Sequence, residues 1–121
     1  MKHDIMLIDN AESYNQVEEF LTKMYGVPEK DVDGGWYYDL PGQGWINLWY
    51  NDYIDEPLLP PVSHYWYGIT TTGSQQIQLA NTIMKETKRQ HPEWQVLRIR
   101  DRNGMKKVVS EPKQVNLQKA A

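Results

Sequence analysis

The chain has no cysteine. That single absence excludes disulfides, thiolate nucleophiles and Cys-bound zinc. Phenylalanine occurs once, and the aliphatic residues are sparse for a globular chain. No apolar run approaches the roughly 18 residues that a membrane-spanning helix needs. The start, Met1-Lys2-His3-Asp4, leads into only four apolar residues, Ile5 to Ile8, so no secretory leader is expected. The expected setting is therefore cytoplasmic, without a membrane partner.

Trp and Tyr make up the shortfall, with five and eight copies. A chain of 121 residues with this apolar content can bury one core and is too short for two. The expectation is a single α+β domain over residues 1–110, followed by a frayed C-terminal tail, 111–121.

Charge and aromatic residues are both unevenly spread. Residues 1–73 carry three Lys and twelve Asp or Glu, a balance of −9; residues 74–121 carry ten Lys or Arg and four acids, a balance of +6. Either the halves neutralise each other internally, or the surface has separate acidic and basic faces that steer a charged partner. Ten of the fourteen aromatic residues lie between Trp36 and Tyr67, in a stretch that also holds Asp39, Asp52, Asp55 and Glu56 and no Lys or Arg.

Residues 4–8 read as a short buried strand. Asp9 and Glu12 have capping-box spacing, and Tyr14, Val17, Phe20, Leu21 and Met24 mark the inner face of a helix over about 11–25. Gly26 and Pro28 end it, and 29–35 reads as a loop. Trp36–Leu40 and Trp45–Tyr53 form a hairpin around Pro41-Gly42-Gln43-Gly44. Alternation puts Ile46, Leu48 and Tyr50 on one face, and Trp45, Asn47 and Trp49 on the other. Residues 55–61 are Pro-rich and read as an extended loop. A third strand is predicted over 63–71, with Tyr65, Tyr67 and Ile69 on one side and His64, Trp66 and Thr70 on the other. Thr72 or Ser74 caps a second helix, whose inner face is Ile77, Ala80, Ile83, Met84 and Thr87; Pro92 ends it. Residues 95–102 and 105–110 form a hairpin around Asn103-Gly104. The order β-α-β-β-β-α-β-β predicts an α+β fold, with two helices packed on a mostly antiparallel sheet of five to six strands.

No motif in this sequence names a reaction. The histidines His3, His64 and His91 show no metal-ligand spacing, and Asp52, Asp55 and Glu56 lack an EF-hand pattern, so no metal is expected. No cofactor motif is present either. Thr70-Thr71-Thr72-Gly73-Ser74 leads into the second helix, but it is not a Walker A; it reads as a cap or as an anion cradle. His64 is the weak catalytic candidate, with Asp39 or Asp52 as its carboxylate partner, against a plain hydrogen-bonding role. Asp39 and Asp52 also form the one carboxylate pair that invites a glycosidase reading.

Two surfaces remain. A two-residue turn at Asn103-Gly104 sets Arg100 opposite Lys107 and Arg98 opposite Val109. Arg98, Arg100, Arg102 and Lys107 then share a solvent-facing stripe above Leu97, Ile99 and Val108. Such a stripe contacts nucleic-acid phosphates or an acidic protein patch, or it pairs with the acidic N-terminal half or simply solvates the edge of the sheet; the pI of about 5.5 opposes nucleic acid. The aromatic stretch, represented by Trp36, Asp39, Trp45, Trp49, Tyr53 and Trp66, has three readings. It is a second core, a protein-binding patch, or a pocket for a cation or a stacked base. The leading expectation is a small non-catalytic binding protein of inhibitor, immunity or mobile-element accessory type. It would recognise a protein, or a second copy of itself, through this stretch. A nucleic-acid-binding regulator using the basic hairpin comes second, and a small enzyme using His64 third.

Overall fold

The computed structural model describes residues 2–32, 34–51 and 64–112. Nine elements follow along the chain: β1 (Lys2–Asp9), α1 (Tyr14–Tyr25), β2 (Glu29–Lys30), β3 (Trp36–Leu40), β4 (Gly44–Tyr50), β5 (Tyr67–Thr72), α2 (Gln76–Gln90), β6 (Gln95–Arg102) and β7 (Met105–Ser110). The strands form one seven-stranded sheet in the order β2-β3-β4-β5-β1-β6-β7. Every neighbouring pair is antiparallel. The fold is α+β, as the sequence predicts, with one strand more. The addition is β2, which pairs with β3 inside the stretch read as a loop.

β1 is the strand on which the sheet is organised. It pairs with β5 on one side and β6 on the other, and α2 carries the chain over it from β5 to β6. Because strand side chains alternate, each strand offers one set to the helices and another to the opposite side. Met6, Ile8, Tyr38, Ile46, Leu48, Ile69 and Val96 pack against Val17, Phe20 and Leu21 of α1 and Ala80, Ile83 and Met84 of α2. Trp94 joins this core, stacked flat on His91 at 4.0 Å between ring centroids.

The start of α1 differs from expectation. Asp9 ends β1 and accepts from the Asn10 amide at 2.9 Å, so it cannot cap the helix. Ser13 does so instead, accepting from the Gln16 amide at 3.1 Å, while Gln16 Oε1 accepts from the Glu12 amide at 2.8 Å. Ser13 and Gln16 have the same three-residue spacing as Asp9 and Glu12, so the spacing rule selected the wrong pair. At α2 neither Thr72 nor Ser74 caps; the N-cap is Gln75, without a side-chain bond. The β3–β4 turn substitutes from outside, since the Gln43 carbonyl accepts from the Gln75 amide at 2.8 Å.

The third strand begins later than predicted, at Tyr67, and the alternation breaks just before it. Tyr67 packs on the helix side, but Tyr65 is buried in a smaller cluster with Leu7, Leu97 and Ile99, with Ile5, Trp49 and Val108 beside it. That cluster lies on the side opposite the helices. Among the described residues no helix is long and apolar enough to cross a membrane.

Candidate functional site

Alternation along β4 sends Ile46 and Leu48 into the core and leaves Trp45, Asn47 and Trp49 on the side opposite the helices, half-buried. The register extends this into rows across the sheet. Asp39, Trp45, Thr72 and His3 form one row, and Tyr37, Asn47, Thr70 and Ile5 the next. Trp49 faces Gly68. A groove of about 500 Å³ lies here, lined by Trp45, Asn47, Trp49, Thr70, Thr72 and His3, with Asp31, Gly34 and Gly35 as one wall. That volume lies within the usual range of roughly 300–1,000 Å³ for ligand sites.

Several of the lining side chains are fixed by specific contacts. The Trp49 indole lies over Gly68 so closely that a Cβ there would enter the ring. Its Nε1–H donates to Thr70 Oγ1 at 2.8 Å. His3 Nδ1 and Thr72 Oγ1 are 2.8 Å apart. Asn47 Nδ2 donates to Asp31 Oδ2, also at 2.8 Å, which ties the wall to the floor. The wall is a tight turn, in which the Asp31 amide donates to the Gly35 carbonyl at 2.7 Å and the Gly34 amide to the Asp31 carbonyl at 3.0 Å. It can lie flush on β4 because a side chain at Gly35 would strike the Leu48 carbonyl.

The aromatic stretch is thereby divided. Trp45 and Trp49 share the groove, and Trp49 also supports the smaller apolar cluster. Trp36 lies on the other side of the sheet, packed against the helix-side core. Trp66 is 63% exposed, and its backbone bridges Ile8 and Asn51. Asp39 is exposed beside Trp45. Tyr53, Asp52, Asp55, Glu56 and the loop 55–61 lie outside the described residues, as does the tail from 113 onward.

Carboxylates gather on the β2–β3 side of the groove. Glu29 pairs in register with Tyr37, and Asp39 with Trp45. Burial, and then the charges of Asp39, Glu29 and Asp31, hold the Tyr37 phenol above its ordinary pKa. Among the described residues no Lys or Arg lines the groove.

The basic hairpin needs a correction. Arg98, Arg100, Arg102 and Lys107 do share a face, and Arg100 does lie opposite Lys107. That face, however, is the helix side. Arg98 is 7% exposed, and its Nη2 lies 2.5 Å from Asp4 Oδ2. Its Nη1 donates to Asn81 of α2 at 2.7 Å. Arg100 Nε donates to Asp4 Oδ1 at 2.9 Å, and Gln76 Nε2 donates to the same oxygen at 3.2 Å. Burial pushes the Asp4 pKa up, but the bonds and charges of Arg100 and Arg98 outweigh it, and the net shift is downward. Two of the four cations are thus ion-pair partners of the acidic half, and Arg102 and Lys107 remain exposed. A bulge between Arg98 and Ile99 also sets Arg98 opposite Ser110 rather than Val109.

His64 Nε2 lies 3.6 Å from Asp9 Oδ2, and its ring stacks on Tyr65. Its carboxylate neighbour is therefore Asp9, not Asp39. The Thr70–Ser74 segment offers little to an anion. Ser74 Oγ lies 3.4 Å from the Gly42 and Gln43 carbonyls, and the Gln75 and Gln76 amides donate to Gln43 and Gly73. Among the described residues no three His, Asp or Glu side chains converge to hold a metal ion.

Set against known proteins, the chain matches no family model, no curated protein and no solved structure.

Proposed function

We propose that this chain is a small non-catalytic binding protein, acting in a cytoplasmic setting, which recognises a protein partner through the helix-free side of its sheet. One observation carries this reading. Trp45 and Trp49 stand four residues apart on one strand, on the same face, with Trp49 pinned over Gly68 and bonded to Thr70. Trp is one of the residue types enriched among the anchors of protein interfaces. A ring already held in place loses little conformational entropy on binding. The nucleic-acid reading is weaker, because Arg98 and Arg100 are committed to Asp4.

The test is affinity capture from the native host with nuclease present, comparing wild type with Trp45→Ala. Trp45 belongs to neither apolar cluster, so the variant is expected to keep its melting temperature. A protein retained by wild type and lost with Trp45→Ala supports the reading. Retention by both, or a signal that nuclease abolishes, refutes it.

A further inference from the structure

Resting on that reading, we infer that the groove receives a cationic side chain, the guanidinium or ammonium of an Arg- or Lys-bearing segment of the partner protein. The floor presents two indoles, the aromatic surfaces that attract cations best. The wall presents the Asp31 carboxylate, fixed by Asn47 and by its own turn. Glu29 and Asp39 flank the groove on the same face of the sheet, and among the described residues no Lys or Arg lines it.

The same charges argue against the other ligand that indoles commonly take. A nucleobase stacked on Trp45 would bring its phosphate towards Asp31, Asp39 and Glu29, with no Lys or Arg among the described lining residues to offset the repulsion. Exposure argues for a side chain rather than a free amine. Trp45 and Trp49 are only half-buried, and a cation over an indole at such a site gains only about two- to fivefold in affinity. A gain of that size cannot retain a small ion, but it does add specificity to a larger interface. A carboxylate and an aromatic wall together also discriminate by repulsion, since an acidic segment would be rejected.

The experiment uses the full chain and two peptides, acetyl-(Gly-Arg)4-amide and its (Gly-Gln)4 counterpart. Each is titrated while the indole N–H resonances of Trp45 and Trp49 are followed by NMR. The Arg peptide is expected to move both resonances saturably, less so as salt rises, and the Gln peptide to leave them in place. Asp31→Asn keeps an acceptor for Asn47, so the turn is retained, and the Arg-peptide affinity is expected to fall about fivefold. A second variant, Glu29→Gln with Asp39→Asn, removes only exposed charges and is expected to weaken binding in the same direction. Equal shifts with both peptides, or no effect of Asp31→Asn, overturn the cation assignment. So do indole shifts produced by an oligothymidylate. Shifts that grow with protein concentration alone overturn it in favour of a second copy as occupant. Capture that depends on Trp45, without an Arg-peptide shift, would leave the protein-binding reading standing and remove the cation. Arg-peptide binding without Trp45-dependent capture would remove the protein-binding reading on which the inference rests.

Discussion

Arg98 and Asp4, 94 residues apart in the chain, meet inside the fold, with Arg98 Nε donating to Asp4 Oδ2 at 2.9 Å. Asp4 is fully buried, and Arg100 and Gln76 complete its shell. This contact joins the acidic half of the chain to the basic half, and it uses two arginines for one carboxylate.

Replacing Asp4 with Asn would leave Arg98 buried without a counter-charge. The expected cost is about 3–5 kcal/mol, read as a lower urea midpoint. Because the folded pKa of Asp4 is depressed, its contribution is full above the ordinary carboxylate value of 3.8 and is lost as pH falls below it. The wild-type acid transition should therefore weaken in the Asn variant. An unchanged urea midpoint would show that the cluster is not structural.

The remaining exposed cations give a second prediction. The double variant Arg102→Ala, Lys107→Ala should change stability by no more than about 0.5 kcal/mol. Wild type should not retard mixed-sequence RNA or DNA in gel shifts at moderate salt. A shift whose salt slope falls by roughly two units in the double variant would instead establish the nucleic-acid reading.

The contact of Trp49 with Gly68 gives a third. Gly68→Ala inserts a methyl group into the indole and should cost about 1–3 kcal/mol. The same change in a Trp49→Ala background should cost less, by a coupling of about 0.5 kcal/mol or more in a double-mutant cycle. Additive losses would mean that the glycine is required for some other reason.

Alkaline pH gives a fourth. Burial, reinforced by Tyr50, pushes the Tyr14 pKa up to about 12, and its hydroxyl donates to the Leu48 carbonyl at 3.0 Å. Burial also raises Tyr25, Tyr38 and Tyr65. A phenol whose folded pKa exceeds its unfolded one gives stability that is complete below about pH 10 and falls as pH rises towards 12. The melting temperature should drop across that window as phenolate absorbance grows. Tyr14→Phe should lower stability by about 1 kcal/mol at neutral pH and make the alkaline drop shallower. A melting temperature that is flat from pH 10 to 12 would refute this.

Local pattern was a good guide where it carried its own geometry. The Asn103-Gly104 turn has positive φ at both residues, 57° and 90°, as a tight hairpin turn requires. The alternation of β4 correctly separated Ile46 and Leu48 from Trp45, Asn47 and Trp49. Within the candidate site, that alternation made the two indoles legible. Asp31, His3, Thr70 and Gly68 were not, because they arrive from a turn and from two strands distant in sequence. Only Gly34-Gly35 hinted that the turn before β3 is tight.

The sequence by itself determined the class of fold, the approximate positions of the helices and hairpins, and which residues of β4 and of β6 share a face. Those properties follow from periodicities of two and 3.6 residues, and they need no partner. It did not determine which face meets the helices. Arg98, Arg100 and Arg102 share a face in any register, but whether that face looks outward depends on the neighbours of β6. Tertiary structure set Asp4 of β1 beside them and α2 above, and it turned a stripe expected in solvent into a buried ion pair. It also brought the carboxylates of β2, β3 and their connecting turn to one side of the groove. The position of a charge relative to other charges is a long-range property, fixed only when the strand order is fixed.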